Sequence, residues 1–115
     1  MTVQCHEDYF AAQPSAVRIR LKAIQRAVET QMPDATRTIS YKIPAFRKGR
    51  VFFYFAAFKG HIGIYPPVVD DSALIHETAA YRGPKGNLSF PHRGELPMPL
   101  IKRVIAALAA QYSTK

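Results

Sequence analysis

The chain is short and basic, and its composition limits the class of protein to which it can belong. Its 115 residues include 16 lysines and arginines against 8 aspartates and glutamates, a formal net charge of +8. This length suits one domain, and a hydrophobic fraction of 48% is enough to bury a core. We therefore expect a single domain over residues 1–115, with a surface that attracts anions.

Membrane and secreted proteins are excluded by the pattern of the chain. The longest uncharged apolar run, Val51 to Phe58, is far shorter than the roughly 20 residues of a transmembrane helix. The N-terminus has neither the basic start nor the apolar stretch of a signal peptide. Cys5 is the only cysteine, so no disulfide can form within the chain. We expect a cytoplasmic protein that does not associate with membranes.

The pattern predicts helices at both ends of the chain and strands in the middle. Lys48-Gly49 and Lys59-Gly60 mark two hairpin turns, because glycine supplies the positive φ that such turns use. Asp70 and Asp71 are placed to cap a short helix. In chain order, the predicted elements are a short helix at 6–11, a long helix from 14–15 to 33, strands at 36–43, 50–58 and 61–65, a short helix from 70 to 80, a strand at 87–90, and a closing helix at 97–112.

The second hairpin predicts which residues share a face of the sheet. With a two-residue loop at Lys59-Gly60, Tyr54 opposes Tyr65 and Phe58 opposes His61. Phe52 falls on the same face, where small residues at 56 and 63 leave a shallow groove. We interpret this groove as a candidate site for a small ligand or a dimer contact, unless residues 66–81 cover it. The opposite face is wholly apolar and should lie under the two long helices; its members are Val51, Phe53, Phe55, Ala57, Ile62 and Ile64.

Two basic features are candidate anion sites. Arg18, Lys22 and Arg26 follow one another at four-residue intervals on the flank of the first long helix, where like charges do not stabilise a helix. Lys85 lies in a glycine-rich loop whose backbone N–H groups can surround an anion. Together with the basic turn at residues 47–50, these residues make nucleic acid or an acidic partner an alternative ligand. A solvated basic surface with no partner is the other interpretation.

The sequence contains no recognisable catalytic motif. Cys5 has His6 only as a neighbour in the chain, which is poor geometry for an activated nucleophile. None of the four histidines has the spacing of a metal-binding pair. We therefore predict a protein that is not an enzyme. Asp70, Asp71 and Glu77 are the candidate metal-binding carboxylates, although the first two are better placed to cap a helix.

Three segments of the chain carry recognisable motifs: Ser-Tyr-x-x-Pro-x-Phe at residues 40–46, a hairpin at residues 55–66, and a strand and helix start at residues 85–91 with 96–101. They resemble the hallmark strand, the central hairpin and the closing strand and helix of the YdhG-like family, which is also known as a domain of unknown function. The resemblance covers roughly Tyr9 to Tyr112. It implies an α+β fold, a two-layer sandwich in which a curved, mainly antiparallel sheet carries the N- and C-terminal helices on one face.

For function, the resemblance implies a non-enzymatic binding or carrier domain. One branch of the family is described as a frataxin-like iron chaperone, so iron handling inside the cell is implied for this chain as well. Frataxin-type iron handling uses an acidic ridge on the first long helix, where this chain instead has arginines and a lysine. The resemblance therefore assigns no iron ligands. The partner stays open between an acidic protein and nucleic acid, and the oligomeric state between a monomer and a weak homodimer.

Overall fold

Five strands follow one another in a single antiparallel sheet whose spatial order is the order of the chain. A computed structural model describes residues 3–113. The strands are β1 (Thr36–Ser40), β2 (Ile43–Lys48), β3 (Arg50–Ala57), β4 (His61–Tyr65) and β5 (Leu88–Pro91). Because consecutive strands are neighbours, alternate turns of the sheet lie at the same end.

The helices are α1 (His6–Ala11), α2 (Ser15–Gln31), α3 (Ser72–Glu77) and α4 (Met98–Tyr112). All four were predicted, although the third ends at Glu77 and is followed by a 3-10 turn, Ala79–Tyr81. The Asp71 side chain accepts a hydrogen bond from the Leu74 N–H at 3.0 Å, so the predicted helix cap is confirmed. Among the described residues, no helix is long and apolar enough to cross a membrane.

The core lies between the sheet and the helices. Phe53 and Phe55 of β3 and Ile62 and Ile64 of β4 are fully buried, as the alternation of the second hairpin predicts. The helices contribute apolar stripes to the same core: Leu21, Ile24 and Val28 from α2, and Ile101, Val104, Ile105 and Leu108 from α4. Each such side chain stabilises the fold by about 1.5–3 kcal/mol on burial. The predicted two-layer α+β architecture is thereby confirmed.

The register of the second hairpin is also confirmed. Tyr54 pairs with Tyr65, residue 56 pairs with Gly63, and the Phe58 N–H donates to the His61 carbonyl at 2.8 Å. Where β2 no longer covers the edge of β3, the Tyr9 hydroxyl takes its place. It accepts from the Ala57 N–H at 2.9 Å and lies 3.4 Å from the Ala57 carbonyl oxygen, to which it donates.

The prediction of one strand over residues 36–43 is wrong. The chain reverses at Tyr41-Lys42, and Ser40 pairs with Ile43. The backbone φ angles of the two turn residues are 53° and 66°, in the left-handed region that two-residue hairpin loops require. Sequence reasoning missed the turn because neither residue is a glycine or an asparagine, the residue types that usually adopt this conformation.

The first predicted hairpin turn is also tighter than expected. Gly49 has a φ of 75° and lies alone between Lys48 and Arg50, which pair with each other. The pairing of β2 with β3 then shifts register between Phe46 and Arg47. Residues 52 and 53 are both fully buried. Residue 52 is the extra residue of this bulge, because residues 51 and 53 pair with the consecutive residues Arg47 and Phe46.

Candidate functional site

Four aromatic side chains of the second hairpin lie on the face of the sheet opposite the long helices: Tyr54, Phe58, His61 and Tyr65. On it, the Phe58 and His61 rings stack with their centroids 5.0 Å apart. The Tyr65 ring folds back over Gly63, so that a Cβ built on this glycine would lie 2.6 Å from the Tyr65 hydroxyl. Burial raises the pKa of the Tyr65 hydroxyl above its ordinary value. The hollow predicted above the small residues is thus occupied by Tyr65, and the surface is an aromatic layer.

Tyr41 extends this layer, and sequence reasoning missed it. Its ring is 85% exposed and lies 5.9 Å from the ring of Tyr54, centroid to centroid. A bulky residue at positive φ is an unfavourable conformation that the surrounding turn must hold in place. Phe58 is also exposed, at 45%, while the other rings are half-buried. We call Tyr41, Tyr54, Phe58, His61 and Tyr65 the aromatic face.

One end of the aromatic face is basic. The β1–β2 turn and the β3–β4 turn lie at the same end of the antiparallel sheet. The first turn holds Tyr41 followed by Lys42, and the second has Phe58 followed by Lys59. Each turn therefore presents an exposed aromatic ring and, directly after it, a lysine.

A third cation reaches this end from the loop after β5. His92 donates from Nε2 to the Phe58 carbonyl at 2.8 Å, and its N–H donates to the Gly60 carbonyl at 3.1 Å. The Arg20 guanidinium, from α2, donates to the Gly94 carbonyl in the same loop. Arg93 lies between these two anchors and is exposed, with the carboxylate of Glu95 two residues further along. We call Lys42, Lys59 and Arg93 the basic end; within residues 3–113, none of them forms an ion pair.

The basic residues that the sequence singled out do not form one site. Lys22 and Arg26 line a groove between α2 and the start of α4, whereas Arg18 and Lys85 are not among the residues that line it. The basic turn at 47–50 lies at the opposite end of the sheet from the basic end.

Two of the three candidate metal-binding carboxylates, those of Asp71 and Glu77, are used by the fold. Asp71 caps α3, and Glu77 binds Arg103, which lowers the pKa of the Glu77 carboxyl group. In the part of the chain that the structure describes, no three histidines, cysteines, aspartates or glutamates are close enough to hold a metal ion together.

His6 is a structural residue that sequence reasoning left unassigned. It is 1% exposed, and its Nε2–H donates to the carbonyls of Ala45 and Thr38, at 2.9 and 3.1 Å. Its Nδ1 accepts from the Gln25 side-chain amide at 2.9 Å. Burial lowers the pKa of the imidazole below its ordinary value. Because both ring nitrogens are engaged elsewhere, His6 cannot act as a base for its exposed neighbour Cys5.

Comparison with known proteins identifies the fold. No family model matches the sequence, and no curated protein matches it. Among solved structures, the chain matches the crystal structure of YdhG, a protein of the DUF1801 family from Bacillus subtilis, with a TM-score of 0.80. The match covers 96% of this chain and 98% of that chain, at 17% sequence identity. YdhG belongs to the family that the sequence motifs resemble, and the chain has the YdhG-like fold that this resemblance implied.

Proposed function

We propose that this protein is a non-catalytic domain that binds single-stranded nucleic acid across the aromatic face and the basic end. The observation that supports this proposal is the repetition of one arrangement at two adjacent turns. In Tyr41-Lys42 and in Phe58-Lys59, an exposed ring is followed directly by a lysine. Rings that reach solvent offer stacking surfaces for bases, and the lysines beside them offer contacts for phosphates.

The chemistry of single strands suits this surface better than that of duplexes. The bases of a single strand can turn their flat faces toward a protein, whereas those of a duplex are stacked on one another. Stacking of one base on an aromatic side chain is worth about 1–3 kcal/mol, whatever the base. We therefore expect binding with little sequence preference and a preference for single strands over duplex.

The first experiment measures affinity by fluorescence anisotropy with a labelled oligothymidylate of about 12 nucleotides, a length typical of such surfaces. Tyr41→Ala and Phe58→Ala should each weaken binding by about 5- to 150-fold, the equivalent of one lost stacking contact. Ile19→Ala is the matched control, because Ile19 is an exposed apolar residue on α2, 71% accessible. Its affinity should equal that of the unmodified protein.

Salt dependence tests the phosphate contacts separately. Single strands lose affinity with a slope of about −0.7 per phosphate contact on a log–log scale. Three contacts, from Lys42, Lys59 and Arg93, predict about 20-fold weaker binding at ~200 mM than at ~50 mM salt. Lys42→Glu should reduce both affinity and slope, whereas Lys85→Glu, an equal change of charge in another loop, should change neither.

Several results would refute the proposal. One is the absence of binding at ~50 mM salt, where electrostatic contacts are strongest. Another is binding that Tyr41→Ala and Phe58→Ala leave unchanged. A third is concentration-dependent self-association, seen in sedimentation of the unmodified protein and lost in Tyr41→Ala; this would assign the aromatic face to a second copy of the chain.

A further inference from the structure

We propose that the groove between α2 and α4 is a second binding site, which takes an acidic amphipathic helix of a partner protein. The groove has a volume of about 940 Å³ and lies along α2 from Ile19 to Gln31, with Met98 and Lys102 of α4 on the other side. The two helices cover the face of the sheet that is opposite the aromatic face. The proposal is therefore independent of nucleic-acid binding.

The charges of the groove favour an anionic partner. Lys22 and Arg26 lie one turn apart on α2, and Lys102 approaches from α4. Within residues 3–113, none of the three forms an ion pair. The carboxylate that lines the groove, Glu29, is held by Arg37 at 2.6 Å, which lowers the pKa of Glu29. The groove therefore presents cations without a free acid to balance them.

The groove includes an aliphatic strip beside its polar residues, which argues for a protein partner. Ile19, Ala23 and Ala27 follow at four-residue intervals on α2, and Met98 completes the surface from α4. Ile19 is 71% exposed, although α2 has a well-buried stripe on its other side. Among residues 3–113, the side chains that line the groove include no aromatic ring on which a base could stack. Leucine or isoleucine side chains of a helix would bury Ile19 and Met98, while acidic residues on its flanks meet the three cations.

The test uses the full chain and a synthetic peptide of about 15 residues, with leucines at helical spacing and glutamates at the remaining positions. A second peptide with lysine in place of every glutamate is the charge control. The glutamate peptide should bind saturably and shift the amide signals of α2 and the first turns of α4 in a ¹⁵N-labelled sample. The lysine peptide should not bind.

Paired charge reversals separate the two proposed sites. Lys22→Glu/Arg26→Glu should weaken peptide binding by at least about 10-fold and leave oligonucleotide binding unchanged. Lys42→Glu/Lys59→Glu changes the net charge equally and should have the opposite pattern. Ile19→Gln, at an exposed position that folding does not require, should also weaken the peptide and not the oligonucleotide. Circular dichroism checks that each variant is folded.

Three results would overturn the inference about the groove. They are equal binding of the two peptides, peptide binding that survives both Lys22→Glu/Arg26→Glu and Ile19→Gln, and amide shifts that map outside the groove. No binding at millimolar peptide would also contradict it, because an affinity weaker than ~1 mM is worth less than about 4 kcal/mol.

Discussion

The two faces of the sheet each hold a histidine against a phenylalanine, and the two contacts have opposite roles. On the helix-covered face, the ring centroids of His6 and Phe46 are 5.2 Å apart, and both residues are buried. On the aromatic face, His61 and Phe58 are 5.0 Å apart, and both reach solvent. The first pair holds four elements of the fold together through the ring nitrogens of His6. The second pair is the one that the proposed function assigns to a ligand.

The largest difference that we expect between the two histidines is in the free energy of unfolding. His6→Leu should destabilise the protein by about 2–4 kcal/mol, because it leaves the buried carbonyl of Ala45 and the amide of Gln25 without partners. His61→Leu is the matched control on the aromatic face and should change stability by no more than about 0.5 kcal/mol. Urea denaturation measures both values. Equal losses would show that the two histidines do not differ in the way described.

His6 should also make the stability of the protein depend on pH. The pKa of His6 is lowered in the folded state by burial and, to a smaller extent, by Arg37, while Ala45, Thr38 and Glu7 oppose the shift. Folding therefore favours the neutral form of the His6 imidazole. This stability is complete above the ordinary pKa of 6.5 and is lost as the pH falls below that value.

Urea midpoints measured at several pH values between 7 and 5 test this dependence. The loss should be smaller in His6→Gln, which keeps a donor for Ala45 and does not titrate. Glu7 and Glu29 also have lowered pKa values, but their contribution is lost only below their ordinary value of 4.5. An NMR titration of the His6 ring provides the same information without unfolding. A His6 pKa at or above 6.5 would contradict the account.

A smaller loss of stability is expected when the hydrogen bonds at the edge of β3 are removed. Tyr9→Phe removes the hydroxyl that serves the Ala57 N–H and carbonyl, and should cost about 1 kcal/mol. Tyr54→Phe removes a hydroxyl from the aromatic face and should cost less. Hydrogen exchange should accelerate at the Ala57 amide in Tyr9→Phe alone. An unchanged exchange rate there would mean that the bond to Tyr9 does not protect this edge.

The smallest expected effect is a change in the pKa of Tyr65 on the aromatic face. In Gly63→Ala, the added methyl group displaces the Tyr65 ring, since a Cβ lies 2.6 Å from its hydroxyl. The pKa of Tyr65, which burial raises, should then move back toward its ordinary value of 10. Gly60→Ala is the control, because a Cβ there meets no atom within 4 Å. Tyrosine titration by NMR distinguishes the two variants, and an unmoved pKa in Gly63→Ala would contradict the packing described.

The parts of this structure that sequence could predict depend on local patterns. The helix stripes and the pairing of Tyr54 with Tyr65 follow from periodicity and from the glycine at position 60. Even there the physical reason was incomplete, because Gly60 is not among the residues with positive φ, while Tyr41 and Lys42 are. The sequence pattern thus predicts a strand at Tyr41, the most exposed tyrosine of the aromatic face, because it is neither a glycine nor an asparagine.

The parts that sequence could not predict depend on contacts between distant segments. The burial of His6 is decided by carbonyls at residues 38 and 45, which the sheet brings to it. The groove needs Lys102, which joins Lys22 only when α4 packs on α2. Arg93 reaches the basic end because β5 pairs with β4. The spacing of residues within one segment cannot predict the burial of His6, the groove or the position of Arg93.

Amide mapping can show whether the aromatic face and the basic end form one binding surface. A ¹⁵N-labelled sample is titrated with oligothymidylate at low salt. The account predicts saturable shifts at Tyr41, Lys42, Phe58, Lys59 and Arg93, with the amides of α2 and α4 unmoved. Shifts confined to the α2–α4 groove, or a spectrum that does not change, would contradict it.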